Sequence, residues 1–447
     1  MSDTTYTQPV GSDIVLAVTV GGQNIPVTKF SMTGGAYGSV GHITIDTGFS
    51  MLQQLKVDLF AMTSGAPGFV EVDVSVTQPK TDQPPWGGYS QQPPQTTTTR
   101  IFGGEYVRTD FDLDTDSVQI HARDWAGVLV DQKRILTKIG NAVKGVLVPL
   151  APGRVSAKGI SNENQKVGQI VQSIADEFGF NCILNLSNGN PTTGTLYGSA
   201  DQSFITVPQS LWAILCQVAR DTGYVVYVTP TKDLVFGEPG AGLETIKLSF
   251  NTTPGDGQLP CKNVRIEHHP RRNSTFRVLV ISYDPTLAQS TLGRATYVGA
   301  AYAGQHGLTA GMNVGNAAIS ADKNIVGAGQ DGAKVGSTQI PLYTFHVDGL
   351  SADQANLRAE SIATDIAKRE LIMSCHIDGL PHILPTQKIV LSGDMPDAFS
   401  GNTFYTSGYQ QEFSLPQPGS HHADAGWTTR ITCLNVPTEA LAKGTEG

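Results

Sequence analysis

The chain has 447 residues, of which 39% are hydrophobic and only 15% are charged. A chain of this length exceeds what one hydrophobic core supports, so we expect roughly two to four domains. The formal net charge of −9 argues against a protein that grips nucleic-acid phosphates, because such proteins need clustered lysine and arginine.

Neither a membrane span nor a signal peptide is predicted. No apolar run reaches about 18 residues, and residues 1–5 lack a basic and an apolar region. The five cysteines are odd in number and widely spaced, which is typical of reduced core residues rather than of a disulfide framework or a zinc site. They are Cys182, Cys216, Cys261, Cys375 and Cys433. We therefore expect a protein assembled in a cytoplasm, without a membrane anchor, cofactor or metal.

Residues 1–131 are predicted to form a first β-barrel. Apolar runs at 14–20 and 25–30 flank a Gly-Gly-Gln-Asn turn, which favours a hairpin. Within 69–77, valines alternate strictly with polar residues, as in a strand that is buried on one face. Residues 79–99, rich in proline, glutamine and threonine, cannot bury a core and are predicted to be a long exposed loop. The chain leaves this barrel at 123–131 through a short helical turn.

Residues 132–250 are predicted to form an inserted α/β domain. A helical stripe of apolar residues starts at Val167 and ends at Gly179, a typical helix-terminating glycine. A second stripe starts at Leu211 and ends at Gly223, and a hairpin follows it around the turn at 230–233. Two helices and a hairpin make a small domain.

Residues 251–437 are predicted to form a second barrel, followed by a C-terminal tail at 438–447. Residues 285–338 are rich in glycine and alanine and show almost no periodicity, which predicts a long loop. The strand that begins at Leu342 is expected to return to the sheet that begins at Asn263 and to close the barrel. A helix at 351–370 is expected to lie across that sheet. Further strands are predicted at 371–377, 387–391, 403–413 and 428–434.

The predicted fold class is therefore α+β and mainly β. It comprises two similar small β-barrels of a tube type, an inserted helix-plus-hairpin α/β domain, and long loops. The low content of charged residues is common in extended β-proteins that function in assemblies.

No sequence motif argues for catalysis. The chain contains no G-x-S-x-G, H-E-x-x-H, P-loop or C-x-x-C pattern. The paired histidines at 268–269 and 421–422 would each offer at most one metal ligand, because neighbours in a strand point to opposite faces. The aspartates at 110, 112, 114 and 116 lack the glycine and the distal glutamate of an EF-hand, so a solvated connector is favoured. We expect a protein that is not an enzyme.

The order of the elements resembles that of a known family. The segments that carry the resemblance are RDWAGVLVD at 123–131, VGQIV at 167–171, QSLWAIL at 209–215, the hairpin at 223–239, the helix at 355–369 and LPTQKIVL at 384–391. In this order they are similar to the central baseplate hub proteins of tailed phages, of the late-control-protein-D type. The same fold forms the N-terminal part of type VI secretion spike proteins.

The resemblance implies a homotrimeric ring in the tail baseplate of a virion, with two similar barrels per subunit. Six barrels would then surround a channel and match the sixfold tail tube to the threefold central spike. The implied partners are the spike protein, the tail tube protein or a tube-hub adaptor, baseplate wedge proteins and the tape measure protein, with DNA as passing cargo. Because no further barrel or β-helix follows residue 437, we expect the spike to be a separate protein.

In that family, ring-facing strands and barrel-spanning helices make the contacts between subunits. The interface residues predicted here are Trp86, Tyr89, Trp125, Arg358 and Arg369. Trp86 and Tyr89 lie in the predicted loop 79–99, where exposed aromatic residues could anchor an interface. The alternative is that they pack back onto the barrel.

Other functions stay open. One is a hub of a contractile injection or type VI-like secretion apparatus. Another is a glycan-binding or glycan-degrading tail protein, suggested by the exposed aromatic residues, although the sequence offers no preferred pair of catalytic carboxylates. A third is a receptor-binding module that uses the loops 79–99 and 285–338.

Overall fold

The structure is a computed structural model. It describes residues 8–9, 14–35, 39–55, 68–78, 95–139, 142–151, 154–155, 166–186, 190, 209–250, 258–269, 275–284, 289–299, 303, 310–327, 340–347, 350, 352–369, 371–380, 383–393, 403–414 and 426–435.

The first barrel is built from the strands that precede residue 125. They are β1 (Gln8–Pro9), β2 (Ile14–Val20), β3 (Gln23–Ile25), β4 (Lys29–Gly35), β5 (His42–Gly48), β6 (Phe69–Gln78), β7 (Gln95–Asp112) and β8 (Ser117–Asp124), with helix α1 (Phe49–Gln54) after β5. The spatial order β2-β6-β7-β8-β5-β4 wraps one core. The alternation predicted for β6 is confirmed at Val70 and Val72, which are fully buried while Glu71 and Asp73 are not.

The helical turn predicted at 123–131 is a helix at 126–131, but it packs into the core of the insert, although we assigned its residues to the first barrel. The insert therefore begins at this helix. Its elements are α2 (Ala126–Asp131), β9 (Lys133–Ile139), β10 (Ala142–Ala151), β11 (Arg154–Val155), α3 (Val167–Phe178), β12 (Asn181–Asn185), β13 (Gln209–Ser210), α4 (Leu211–Thr222), β14 (Val225–Val228) and β15 (Asp233–Gly237). Both helices end at the predicted glycines, Gly179 and Gly223, which adopt left-handed φ values of 65° and 74°. At the start of α4 the Ser210 hydroxyl accepts the Ala213 N–H at 3.1 Å.

The last part of the chain contains the second barrel and a separate small sheet. Its elements are β16 (Ile246–Ser249), β17 (Leu259–His268), β18 (Phe276–Asp284), β19 (Gln289–Val298), β20 (Gly311–Val314), α5 (Asn316–Gly327), β21 (Leu342–His346), α6 (Ala352–Ala367), β22 (Leu371–Asp378), β23 (Lys388–Ser392), β24 (Thr403–Ser414) and β25 (Gly426–Asn435). The closed ring β16-β17-β22-β25-β24-β23 forms the barrel. Strand β16 lies within the range 132–250 that we predicted for the insert.

The prediction that the strand at Leu342 closes the second barrel is wrong. Strand β21 pairs in parallel with β18, in a separate sheet of order β20-β19-β18-β21. Helix α6 packs against this sheet and not across the barrel, and its buried residues are four alanines and Gln354. The barrel is closed instead by β16, which is parallel to both β17 and β23. Apolar periodicity identified β21 as a strand, but it does not specify which strands pair.

The prediction of irregular chain throughout 285–338 is also wrong. Strands β19 and β20 and helix α5 lie within this range. The small residues that obscured the pattern have a packing function, because a Cβ on Gly293 would lie 2.0 Å from the backbone of Ala355 in α6. Strand and helix backbones can approach this closely only without intervening side chains.

The two barrels share one strand topology, in agreement with the predicted fold class. In chain order, β2, β4, β5, β6, β7 and β8 correspond to β16, β17, β22, β23, β24 and β25. In space the orders are β4-β5-β8-β7-β6-β2 and β17-β22-β25-β24-β23-β16, and the first four ladders of each are antiparallel. They differ at the last ladder, which is antiparallel between β6 and β2 but parallel between β23 and β16.

Candidate interaction surface

Among the described strands, β24 joins the two barrels. Strand β24 pairs with β23 up to Tyr405 and with β4 of the first barrel from Gly408 onward, in both cases antiparallel. One sheet therefore runs continuously through both barrels. The change of partner coincides with a bulge between Thr406 and Gly408 in the β24–β25 ladder, since an extra residue turns the strand.

Aromatic rings pack against each other at this junction. The rings of Phe30 and Phe413, which are paired across the β4–β24 ladder, stack with centroids 5.4 Å apart. Next to them, a Cβ on Gly34 would lie 2.4 Å from the ring of Tyr409. Glycine at this position therefore leaves room for the partly buried Tyr409 ring.

Asp124 lies between the first barrel and the insert. Its Oδ2 accepts the Gly41 N–H at 2.6 Å and its Oδ1 accepts the Ala126 N–H at 3.0 Å, so that it links β8 to the β4–β5 connection and to the start of α2. Burial raises the pKa of this carboxyl from 3.8 to about 7, although hydrogen bonds from backbone N–H groups act in the opposite direction.

Three of the five predicted interface residues lie in the described part of the chain. Trp125 is half-buried against its own chain: its indole N–H donates to the Pro230 carbonyl at 3.3 Å, and the Lys232 ammonium lies 5.3 Å from its ring centroid. Arg358 is half-buried on α6, and Arg369 is exposed just after that helix. None of the contacts described above joins two of these three residues. Their participation in a subunit interface stays a prediction.

Trp86 and Tyr89, with residues 79–94 of their predicted loop, lie outside the described residues. The remaining residues of that loop, 95–99, belong to strand β7. The pair at 421–422 also lies outside the described residues, whereas His268 ends β17 and His269 follows it.

Among the described residues of the first barrel, the two most exposed large apolar side chains belong to the surface at and near the tip of the β7–β8 hairpin. Leu113 is 72% exposed, and Phe111 and Val107 are 37% and 53% exposed. Aspartates hold the tip in place: Asp112 Oδ1 accepts the Asp114 N–H at 3.1 Å, and Asp116 Oδ1 accepts the Ser50 N–H of α1 at 2.8 Å.

Sequence reasoning missed this surface because it considered only the aspartates of the segment 110–116. Their function as part of a connector agrees with the hydrogen bonds within the hairpin. The available signal was the pair of apolar residues, at 111 and 113, that alternates with those aspartates in a turn. Exposed apolar side chains on a rigid hairpin are typical of a protein interface.

The described residues contain no group of three or more His, Cys, Asp or Glu side chains that could hold a metal ion. Within the same residues, no helix is both long and apolar enough to cross a membrane. All five cysteines are free thiols; Cys261, Cys375 and Cys433 are buried in the second barrel, and the others are half-buried.

The fold is that of phage tail proteins, as two solved structures show. The tail protein from Neisseria meningitidis MC58 aligns with a TM-score of 0.57 and 12% identity, over 94% of this chain and 96% of that chain. The 43 kDa tail protein of prophage MuSo2 from Shewanella oneidensis aligns with a TM-score of 0.52 and 13% identity, over 96% of this chain and 99% of that chain. No protein-family model and no curated protein matches the sequence.

Proposed function

We propose that the protein is the structural hub of a phage-tail baseplate and assembles as a trimeric ring. The observation that carries the proposal is the duplicated barrel: one chain supplies two barrels of the same strand order, joined in one sheet. Three chains would supply six similar barrels, so the same ring could face a sixfold tail tube and a threefold central spike. The fold shared with two phage tail proteins supports this function.

Within this proposal the ring binds the spike protein on one side and the tail tube protein or a tube-hub adaptor on the other. Baseplate wedge proteins and the tape measure protein are further partners, and DNA passes through the channel during ejection. The net charge of −9 supports a channel that repels DNA and does not retain it. The protein has no catalytic activity in this scheme.

The solution mass tests the proposal. Light scattering or native mass spectrometry of the purified chain should give three times the chain mass of 47.5 kDa, and co-expression with the spike partner should give that mass plus the mass of the bound spike. Negative-stain images should then show rings. A monomer, dimer or tetramer under both conditions would contradict the trimeric hub.

A further inference from the structure

The shared topology gives each strand of the internal junction a counterpart in the other barrel. Within one chain, the junction pairs β24 of the second barrel with β4 of the first. The counterpart of β24 is β7, and the counterpart of β4 is β17. A second junction of the same kind would therefore pair β7 with β17.

Strand β7 repeats the features that allow β24 to change partners. Its ladder with β6 ends at Glu105, and the Tyr106 N–H donates to the Gly68 carbonyl at 2.8 Å. A bulge follows between Tyr106 and Arg108 in the β7–β8 ladder, at the position that corresponds to the bulge of β24. Strand β7 continues to Asp112, and none of the described strands pairs with that edge after β6 has left it.

Strand β17 likewise offers the edge that β4 uses at the internal junction. One edge of β17 pairs with β22, just as β4 pairs with β5. On the other edge, β16 covers only Leu259 and Pro260. None of the described strands pairs with that edge over the remainder of β17.

Given the ring of the proposed function, we propose that β7 of one subunit pairs antiparallel with β17 of the next and so repeats the internal β24–β4 junction between subunits. The occupant of each edge is a second copy of this chain. One sheet would then run through all barrels of the ring and leave no free edge at these strands.

The register follows from that of the internal junction. There, Gln411 lies opposite Met32 and Glu412 lies opposite Ser31. The residues of β7 and β17 that correspond to these residues of β24 and β4 are found by matching the equivalent ladders of the two barrels. These are β24–β25 with β7–β8, β22–β25 with β5–β8, and β17–β22 with β4–β5. The resulting neighbours are Phe111 opposite Ile266, Asp112 opposite Arg265, and Leu113 next to Val264.

The chemistry of these neighbours fits the register. The apolar side chains at 111 and 113 would be covered by the half-buried apolar residues Val264 and Ile266. Asp112 would face the guanidinium of Arg265, whose side chain is 75% exposed in the isolated chain. Hydrogen bonds from Thr115 hold the pKa of Asp112 below 3.8, so this carboxyl is charged near neutral pH.

One pair in this register has like charges, because Asp110 would lie opposite Glu267. Each carboxylate already has a cationic neighbour, since the Arg108 guanidinium lies 3.3 Å from Asp110 and the Arg265 guanidinium lies 3.0 Å from Glu267. The two arginines reduce the repulsion, and the pair does not exclude the register.

Cysteine crosslinking tests the strand pair and its register. In the variant Asp112→Cys with Arg265→Cys, paired residues would have Cβ atoms about 4.5–5.5 Å apart. The matched control is Asp112→Cys with Lys262→Cys. Because of the register shift between Lys262 and Arg265, this change moves one thiol by two ladder positions on the same face, roughly 7 Å along β17. Both β17 residues are well exposed, so neither substitution should disturb folding.

Mild oxidation should convert the in-register variant to crosslinked dimers and trimers on a non-reducing gel, at least about tenfold faster than the control. Light scattering of the unoxidised protein separates the two proposals. Trimers without the in-register crosslink, or with equal crosslinking of the control, would overturn the strand pairing and leave the ring intact. A failure to form trimers, alone or with the spike, would overturn the ring and the strand pairing together.

Discussion

At the scale of the residue, Asp124 gives the protein a distinctive pH dependence. Its pKa is raised in the folded state to about 7 by burial. Between its usual value of 3.8 and about 7, the folded protein holds a proton that the unfolded chain releases. The contribution of Asp124 to stability is therefore present at low pH and is lost as the pH rises through this window.

We expect the substitution Asp124→Asn to remove this dependence. The amide stays neutral, but its nitrogen cannot accept a backbone N–H as the carboxyl oxygen does, so stability should fall by about 1–3 kcal/mol at pH 4 to 5. The measurement is thermal denaturation from pH 4 to pH 8 for wild type, Asp124→Asn and the exposed control Asp114→Asn. A constant difference between wild type and Asp124→Asn across this range would contradict the prediction.

Gly34 is a second residue whose identity is dictated by one contact. The change Gly34→Ala would place a methyl group 2.4 Å from the ring of Tyr409, at the junction of the two barrels. We expect the free energy of unfolding to fall by about 1–3 kcal/mol in denaturant titrations. The control Gly48→Ala meets its nearest neighbours at 3.6 Å, an ordinary contact, and should be close to neutral. A near-neutral effect of both changes would show that the Tyr409 ring can move aside.

At the scale of the element, helix α6 lies unusually close to the small sheet. Four fully or almost fully buried alanines lie on one face at intervals of four residues: Ala355, Ala359, Ala363 and Ala367. The backbone of this face reaches Gly293 of strand β19. A second contact fixes the helix to the insert, where the Ser361 hydroxyl donates to the Arg220 carbonyl at the end of α4, at 2.5 Å.

We therefore expect Gly293→Ala to displace α6 and to lower the free energy of unfolding by about 1–3 kcal/mol, because backbone atoms cannot move aside as a flexible side chain can. The control is Thr291→Ala, a half-buried position on the same strand. Hydrogen exchange measured by mass spectrometry should show faster exchange in residues 352–367 of Gly293→Ala only. Unchanged exchange in this helix would contradict the close approach.

At the scale of the whole molecule, the proposed junction between subunits predicts how the charges at residues 112 and 265 affect the stability of the trimer. The change Arg265→Asp places two carboxylates opposite each other and should weaken each contact between subunits about tenfold, which corresponds to about 1.4 kcal/mol per contact. Adding Asp112→Arg restores opposite charges and should recover most of the loss. Trimer dissociation on dilution, followed by light scattering at low salt, gives both values. No recovery in the double variant would contradict the pairing of residues 112 and 265.

Local physics made much of the chain predictable. Some conformations follow from a few neighbouring residues and can therefore be predicted from the sequence. Examples are the helix from Val167 to Phe178, the helix ends at Gly179 and Gly223, and the alternation in β6. The order of such elements was enough to indicate two barrels and an insert. The packing of Gly34 and Gly293 and the exposure of Leu113 could not be predicted from neighbouring residues. Each depends on what lies opposite it in space.

The sequence by itself determined many of the strands and helices, the glycines at which two helices end, and the low and acidic charge of the chain. Only the tertiary structure decided which strands pair: β21 joins β18, β16 closes the second barrel, and β24 belongs to both barrels. The physical reason is that a strand presents the same backbone donors and acceptors to any partner. Its neighbour is selected by chain connectivity and by side-chain packing between residues far apart in sequence.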